Sequence, residues 1–378
     1  MKPVYLDYAA TTPVDERVVA AMLPYFTQHF GNPSSLYSFG REARRAVAVA
    51  RRQVASLLGA SPEEIFFTSG GSESDNWLIK GVAAACGHGH IVTTAVEHHA
   101  VLRACEALPK DRFAVTYLSV DDKGRVAPED VEAALRPDTI LVSVMMANNE
   151  VGTVEPIASI GAICRQRGVP FHTDAVQAAG HLPIDVEKLN VDALSLSGHK
   201  LYGPKGTGAL YMRRGLAVKP LICGGEQERS QRAGTENVPG IVGLGQAAEL
   251  AREEMAVETK RLLALRATLW QQVQAIPGMT LNGDAEHRLP GNLNLAISGI
   301  DQETLLIKLD LMGFAVSAGS ACSAGSLEPS HVLLAMGQSP DEARTALRVT
   351  LGRFTTEAEV TAFAAALRQA VAEIRHAS

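Results

Sequence analysis

The chain has 378 residues and a formal net charge of −6, which is long enough for a large core and, we expect, for two domains. The acidic balance argues against a general nucleic-acid binder. No apolar run reaches the ~20 residues that a membrane span needs, and the N-terminus lacks the apolar stretch of a signal peptide.

The five cysteines are scattered, odd in number and without a CxxC pair. This spacing disfavours a disulfide framework or a zinc ribbon and fits a reducing compartment, so we infer a cytoplasmic protein. Cys86, Cys105 and Cys164 lie in or near apolar helices and are expected to fill the core.

Short apolar strands alternate with amphipathic helices as far as Met212. Strands are predicted at residues 64–68, 90–94, 113–118, 139–146, 169–174, 191–196 and 208–212, and helices at 16–26, 41–58, 77–82 and 159–167. This alternation predicts a doubly wound α/β domain. A long helix from about Gly243 to Gln274 is expected to link two domains, and a capping box of Thr356 and Glu359 begins the C-terminal helix.

A glycine-rich turn, Ser69-Gly70-Gly71-Ser72, joins the strand at 64–68 to the following helix. Free backbone N–H groups and the helix dipole at such a junction can hold a phosphate. The turn matches neither GxGxxG nor a Walker A loop, so it indicates neither a dinucleotide nor ATP. The alternative is a tight turn in which Ser72 caps the helix.

Two histidines, in Glu97-His98-His99, follow the strand at 90–94. Adjacent histidines do not share a helix face as those of HExxH do, so the zinc interpretation is weak. One of these imidazole rings could instead stack on a flat cofactor at the strand end. The alternative is that both histidines are ordinary residues at a helix start or on the surface.

The strand at 169–174 ends in Asp174, where α/β sheets bind ligands. A carboxylate there could keep the pyridine nitrogen of pyridoxal 5′-phosphate (PLP) protonated. Gln177 is placed to reach the phenolic oxygen of the same ring. The alternative for Asp174 is a helix N-cap.

Lys200 follows the next strand, in Ser197-Gly198-His199-Lys200. Burial beside a strand end lowers the pKa of an amine and makes it a usable nucleophile. Ser197 and His199 could donate to a phosphate. Amine, phosphate donors and the upstream acid together predict a PLP site, although most lysines on such loops lie in surface turns.

Two further residues stand out near the C-terminus. Cys322 lies among Gly, Ser and Ala, which leaves its thiol accessible on a mobile loop and makes it the best candidate for a reactive cysteine. Arg348 is a charge on an otherwise apolar strand and needs an anionic partner. A substrate carboxylate would serve, and a structural salt bridge is the alternative.

Taken in order, these stretches resemble the NifS/IscS-type cysteine desulfurases, which are fold-type I PLP enzymes. The resemblance runs nearly end to end and is carried by Tyr5-Leu6-Asp7, Asn32-Pro33-Ser34-Ser35, Thr68 to Asn76, Glu97-His98, Asn148-Asn149-Glu150, His172 to Gln177, Ser197 to Lys200, Arg232 to Asn237, Ser320 to Ser323 and Leu327 to His331. It implies a large mixed-sheet domain at 16–257. A smaller α+β domain of residues 1–15 and 258–378 would carry the mobile cysteine loop.

The resemblance also implies roles for individual residues. Lys200 would hold PLP as a Schiff base, Asp174 would pair with the pyridine nitrogen, Gln177 would contact the phenolic oxygen, and His98 would stack on the ring and move protons. The remaining roles fall to residues that hold the phosphate (Gly71, Ser72, Ser197 and His199), reach the partner subunit's cofactor in a homodimer (Thr235), contact the substrate–cofactor adduct (Asn149) and bind the substrate carboxylate (Arg348).

The implied reaction converts L-cysteine to L-alanine while Cys322 takes the sulfur as a persulfide. A sulfur-acceptor protein or iron–sulfur scaffold would then receive it, for iron–sulfur cluster assembly or tRNA thiolation. No intrinsic metal is implied, although Cys322 could be an iron–sulfur ligand shared with a scaffold partner.

Two other interpretations stay open. Another PLP enzyme, such as an aminotransferase or a selenocysteine lyase, would need Lys200 and Asp174 but not Cys322. A catalytically idle sulfur-relay or scaffold-binding protein would keep the fold and be colourless.

Overall fold

A computed structural model describes residues 3–318 and 329–377. Its strands are β1 (Val4–Tyr5), β2 (Ile65–Thr68), β3 (Gly89–Thr94), β4 (Phe113–Leu118), β5 (Thr139–Ser143), β6 (Phe171–Asp174), β7 (Ala193–Ser197), β8 (Gly208–Met212), β9 (Met279–Asn282), β10 (Asn292–Ile297), β11 (Phe314–Ala315) and β12 (Ala346–Thr350).

The helices alternate with these strands in the first half of the chain and frame them in the second. They are α1 (Glu16–Met22), α2 (Pro24–Thr27), α3 (Ser38–Leu58), α4 (Gly71–Cys86), α5 (His99–Glu106), α6 (Pro128–Ala134), α7 (Ile157–Arg167), α8 (Gln227–Ser230), α9 (Val238–Val273), α10 (Gln302–Leu311), α11 (His331–Ala335), α12 (Pro340–Ala343) and α13 (Glu357–Ala377). Short 3-10 turns occur at Pro62–Glu64 and Gly198–Lys200.

The main sheet has seven strands in the order β2-β8-β7-β6-β5-β3-β4. Strands β7, β6, β5, β3 and β4 run parallel, whereas β8 is antiparallel to both of its neighbours. Most of these strands are buried along their length because helices cover both faces. This is the α/β fold that the alternating pattern predicts, with the mixed sheet that the resemblance implies.

A second, antiparallel sheet has the order β12-β10-β9, and β1 pairs in parallel with β11. The core beside this second sheet includes Phe363 and Leu367 of α13, and also Leu6 from the start of the chain. The N-terminal segment therefore packs with the C-terminal part of the fold. The boundaries at 15/16 and 257/258 stay a prediction.

Helix α9 contributes to both cores, with Leu244 in the core beside the main sheet and Leu269 in that of the second sheet. It begins five residues before the predicted Gly243. Asn237 accepts a hydrogen bond from the Gly240 N–H, and Pro239 occupies the first turn, so both are start signals.

The helix start predicted at residue 16 and the predicted capping box of the C-terminal helix are both confirmed. Asp15 accepts a hydrogen bond from the Arg17 N–H and caps α1. Thr356 and Glu359 form the reciprocal bonds of a capping box, with N···O distances of 2.8 and 3.3 Å. No helix in the described part of the chain is both long and apolar enough to cross a membrane.

Candidate active site

A cavity of about 310 Å³ opens at the carboxyl ends of β6 and β7, where parallel sheets bind ligands. Ten of the predicted site residues line it: Gly71, Ser72, His98, Asn149, Asp174, Gln177, Ser197, His199, Lys200 and Arg348. They come from both halves of the chain, so the fold gathers them into one site.

The glycine-rich turn that is predicted to hold a phosphate, called the cradle below, forms the first turn of α4. The N-cap is Gly70, without a side-chain cap, and Ser72 lies inside the helix. The alternative in which Ser72 caps the helix is therefore wrong. A Cβ on Gly71 would lie 2.5 Å from Val176 Cγ2, so this position needs glycine. The first turn leaves N–H groups without partners in the helix, which suits an anion.

Lys200 ends the 3-10 turn that follows β7. Its ammonium group donates to the carbonyl oxygen of Ala9 and, at 2.7 Å, to that of Ala10. The N-terminal segment is tied down beside it, because the Thr12 N–H donates to the His199 carbonyl oxygen at 2.9 Å. The lysine is thus held at the cavity by backbone acceptors.

Asp174 is buried, and its Oδ1 accepts a hydrogen bond from the Val176 N–H at 2.9 Å. Burial raises the pKa of its carboxyl group to about 6, against the opposing effect of the Val176 N–H and the Lys200 charge. Gln177 Nε2 donates at 3.0 Å to the carbonyl oxygen of Ala9, the same acceptor that Lys200 uses. Its contact with a cofactor oxygen stays a prediction.

His98 is the N-cap of α5, and its Nδ1 accepts a hydrogen bond from the Ala100 N–H at 3.1 Å. Burial, followed by the nearby Lys200 charge, lowers the pKa of the imidazole to about 4. The ring is therefore neutral at physiological pH, and because Nδ1 is an acceptor, its proton is on Nε2. His98 is both a helix-start residue and part of the cavity wall.

His199 and Ser197 also line the cavity, and Ser197 lies beside the cradle. His199 Nδ1 is 3.1 Å from Thr11 Oγ1, and burial lowers its pKa to about 4, so it is neutral. Ser197 is buried at the end of β7, and its Oγ lies 3.5 Å from where a Cβ on Gly70 would be.

Arg348 has the structural salt bridge that was the alternative to substrate binding. Its Nη2 donates to Asp7 Oδ1 at 2.8 Å, and its Nη1 donates to the Asn149 carbonyl oxygen at 3.0 Å. The guanidinium is 2 % exposed and still lines the cavity, so the ion pair lies at the site.

Asp75 is a cavity residue that the sequence interpretation did not single out. It lies one helical turn after Gly71 on α4 and is buried beneath the cavity. The sequence held one signal that could have found it. Asp75 is four residues after Gly71, and residues four apart on a helix share a face.

Thr235 lies outside the cavity, in a second cleft that Asn32 also lines. Cys322 falls outside the described residues, so its predicted role is neither placed nor tested. Of the three cysteines expected in the core, Cys105 and Cys164 are buried, but Cys86 is exposed. Cys86 is the last residue of α4 and lies beyond the buried face of that helix.

Residues 4–363 match the model of the aminotransferase class-V family, so the chain belongs to that family. It is 51% identical over 379 aligned residues to the cysteine desulfurase IscS of Methanosarcina thermophila, covering 100% of this chain and 94% of the relative. Within the family, the chain is of the NifS/IscS type.

Solved structures agree with this assignment. A NifS-like protein superposes with a TM-score of 0.93 at 40% identity, covering 98% of this chain and 100% of the other. The structure of SspA in complex with cysteine gives a TM-score of 0.83 at 39% identity, covering 93% and 99%.

Proposed function

We propose that this protein is a cysteine desulfurase that converts L-cysteine to L-alanine and transfers the sulfur to Cys322 as a persulfide. The observation that carries the proposal is the cavity in which Lys200, Asp174 and His98 meet. The resemblance to NifS/IscS enzymes assigns each of these three residues a role in the reaction. The similarity to such enzymes spans the chain.

The cavity fits PLP as the cofactor. Lys200 offers the amine, the first turn of α4 offers an anion cradle with no room for a side chain at Gly71, and Asp174 offers a buried carboxyl group. When bound, PLP supplies an electron sink for the electrons left when the α-proton of the substrate departs.

Each side chain then has a defined task. Lys200 would hold the cofactor and afterwards take up the α-proton of the substrate, and Asp174 would serve the ring nitrogen as its carboxylate partner. His98 donates a proton from Nε2. Arg348 binds the carboxylate of L-cysteine through its guanidinium, beside Asn149.

The sulfur transfer needs the Cys322 thiolate at the cavity. The thiolate attacks the sulfur of the substrate, an S–S bond forms, and the C–S bond breaks with its electrons returning to the carbon skeleton, which is protonated to alanine. The described flanks of the Cys322 segment support this placement. Ser317 exchanges backbone hydrogen bonds with Arg348, and Ser330 Oγ donates at 2.5 Å to Glu150 Oε2, next to Asn149.

The protein would act as a homodimer in which Thr235 reaches the phosphate of the partner subunit's cofactor. Thr235 is exposed and far enough from its own cradle to lie in a separate cleft. Phe30 lines the same cleft and is exposed. Leu36 and Tyr37, a few residues further along the chain, are exposed as well, and exposed apolar side chains of this size are typical of an interface.

A sulfur-acceptor protein or iron–sulfur scaffold would receive the persulfide sulfur, and we place the enzyme in the cytoplasm. The four described cysteines are all free thiols, which suits a reducing compartment. Residues 16–257 would form the cofactor-binding domain, and residues 1–15 with 258–378 the domain that carries Cys322.

The test is an assay of alanine and sulfide from L-cysteine, with a reductant, for wild type and Cys322→Ser. The matched control is Cys223→Ser, which removes an exposed thiol elsewhere. Wild type and the control should release both products and Cys322→Ser neither. Full turnover by Cys322→Ser would show a different PLP enzyme, and a colourless wild type without products would show an idle protein.

A further inference from the structure

The buried polar groups beneath the cavity include a second carboxyl group, Asp75, which the proposed reaction does not use. Its side chain is 1 % exposed. Oδ1 has no hydrogen-bond partner within the described part of the chain, and the Ser195 side chain lowers the pKa of this carboxyl group without offsetting the effect of burial. A buried carboxylate normally has several donors or a cation, because an unpaired buried charge is costly.

The neighbouring His172 cannot supply that cation. Its Nε2 is 3.7 Å from Asp75 Oδ1, beyond hydrogen-bond distance. Nδ1 is 2.9 Å from Ser143 Oγ and Nε2 is 3.0 Å from Ser195 Oγ, so both ring nitrogens have hydroxyl partners. Full burial lowers the pKa of His172 to about 3, which leaves the ring neutral.

The other charged groups near Asp75 are anionic or act elsewhere. Burial raises the pKa of Asp75 well above the usual range, and the nearby Asp174 carboxylate raises it further. Lys200 lowers the pKa of Asp174. Arg348, the other cation that lines the cavity, is paired with Asp7. Lys200 thus offsets the charge of Asp174 and not that of Asp75.

We infer that Asp75 is a neutral carboxylic acid at the base of the cavity, beside His172, and that it leaves Asp174 as the one anion for a ring nitrogen. A neutral Asp75 adds no negative charge that would oppose the ionisation of Asp174. This last step rests on the proposed function, whereas the protonation state of Asp75 does not.

The alternation of the sheet explains why these groups meet. His172 and Asp174 are two residues apart on β6, so they project from the same face. Asp174 is paired with Ser195 in the β6–β7 register. Helix α4 covers this face and brings Asp75 down onto it, and a second ionised carboxylate here would raise the pKa of Asp174 further.

Infrared spectra of the cofactor-free protein near neutral pH test the protonation state directly. The carbonyl band of a protonated carboxylic acid should be present in wild type and lost in Asp75→Asn. Glu97 is a control, because burial raises its pKa to about 8. Glu97→Gln should remove a separate acid band and leave that of Asp75. An unchanged acid region in Asp75→Asn would overturn the inference.

A spectroscopic titration of the cofactor-loaded protein tests the consequence. If Asp75 is neutral, Asp75→Asn should leave the pH midpoint of the visible absorption within about 0.3 of wild type. Removing an ionised carboxylate so close would lower that midpoint by about one pH unit or more, which would contradict the inference.

Ser195→Ala provides the second variant if Asp75→Asn does not fold. It removes a hydroxyl that acts on the Asp75 carboxyl group and keeps Asp75, so the acid band should shift in position. A band that does not move would belong to another group and would overturn the assignment. A wild-type protein that binds no PLP would refute the proposed function while leaving the infrared result to decide on Asp75.

Discussion

Arg348 Nη2 lies 2.8 Å from Asp7 Oδ1, an ion pair that joins β12 to the N-terminal segment at the edge of the cavity. The same guanidinium donates to the Asn149 carbonyl oxygen. It is therefore oriented before any substrate arrives, which reduces the conformational cost of binding a carboxylate.

We expect Arg348→Lys to raise the KM for L-cysteine by roughly 10-fold or more, because lysine cannot hold a carboxylate in the bidentate manner of arginine. The matched control is Arg353→Lys, which alters an ion pair with Asp15 away from the cavity lining. Steady-state alanine formation measures both. An unchanged KM in Arg348→Lys would show that Arg348 does not bind the substrate carboxylate.

His98 should act as a neutral donor across the physiological range, because its pKa is lowered to about 4. The pH profile of kcat should therefore lack an inflection near 6.5 that belongs to His98. His98→Gln should lower kcat by roughly 10²–10⁴-fold, the usual contribution of a positioned acid or base. PLP absorbance should be retained in the variant, which separates catalysis from cofactor binding.

The neighbouring His99→Gln is the control for that prediction. His99 stacks on His331 with ring centroids 4.6 Å apart and does not line the cavity. Its replacement should leave kcat within a few-fold of wild type. Equal losses in both variants would show that the helix start, rather than a proton at His98, is what matters.

Asp174 should make the cofactor-free protein less stable as the pH rises from about 4 to about 6. Its folded-state pKa lies above the usual 3.8, so the unfolded chain releases its proton first, and the stability present at acid pH is lost through this window. The difference in unfolding free energy from Asp174→Asn, which cannot titrate, should change on the order of 2 kcal/mol.

Denaturant unfolding at several pH values measures that difference. Asp138→Asn is the contrasting control, because Arg136 lowers the pKa of Asp138 and its contribution should instead be lost as the pH falls. A pH-independent difference for Asp174→Asn would show that Asp174 is charged throughout this range.

Gly71→Ala should weaken PLP binding, because the new Cβ would lie 2.5 Å from Val176 Cγ2 and push the cradle apart. An overpacking cost of about 1–3 kcal/mol corresponds to roughly 5- to 150-fold in affinity. Absorbance titration of the cofactor-free protein with PLP measures it. Val176→Ala should restore much of the affinity in the double variant, and a Gly71→Ala variant that binds normally would place the phosphate elsewhere.

The main helices and strands were predictable because the buried positions follow the spacing of apolar residues along the sequence. The strand over 171–174 and the capping box at Thr356 depend on local signals alone. Strand β5 ends at Ser143, three residues before the apolar run does. Periodicity cannot separate a strand from the buried segment that follows it.

The site was predictable where polar residues follow strands, as Asp174 and Lys200 do. The partners of the site residues were not predictable, because they are distant in sequence. Ala9 is 191 residues from Lys200, and Asp7 is 341 residues from Arg348. Asp75 was missed for a related reason, since only the packing of α4 on the sheet shows that it is buried at the cavity.

The central claim is that sulfur from L-cysteine moves to Cys322. Mass spectrometry of the protein after one exposure to L-cysteine without reductant tests it most directly. We predict one added sulfur atom on the peptide that contains Cys322, formed together with one alanine per site. Alanine release with the Cys322 peptide unmodified, or with the sulfur on another cysteine, would contradict the account.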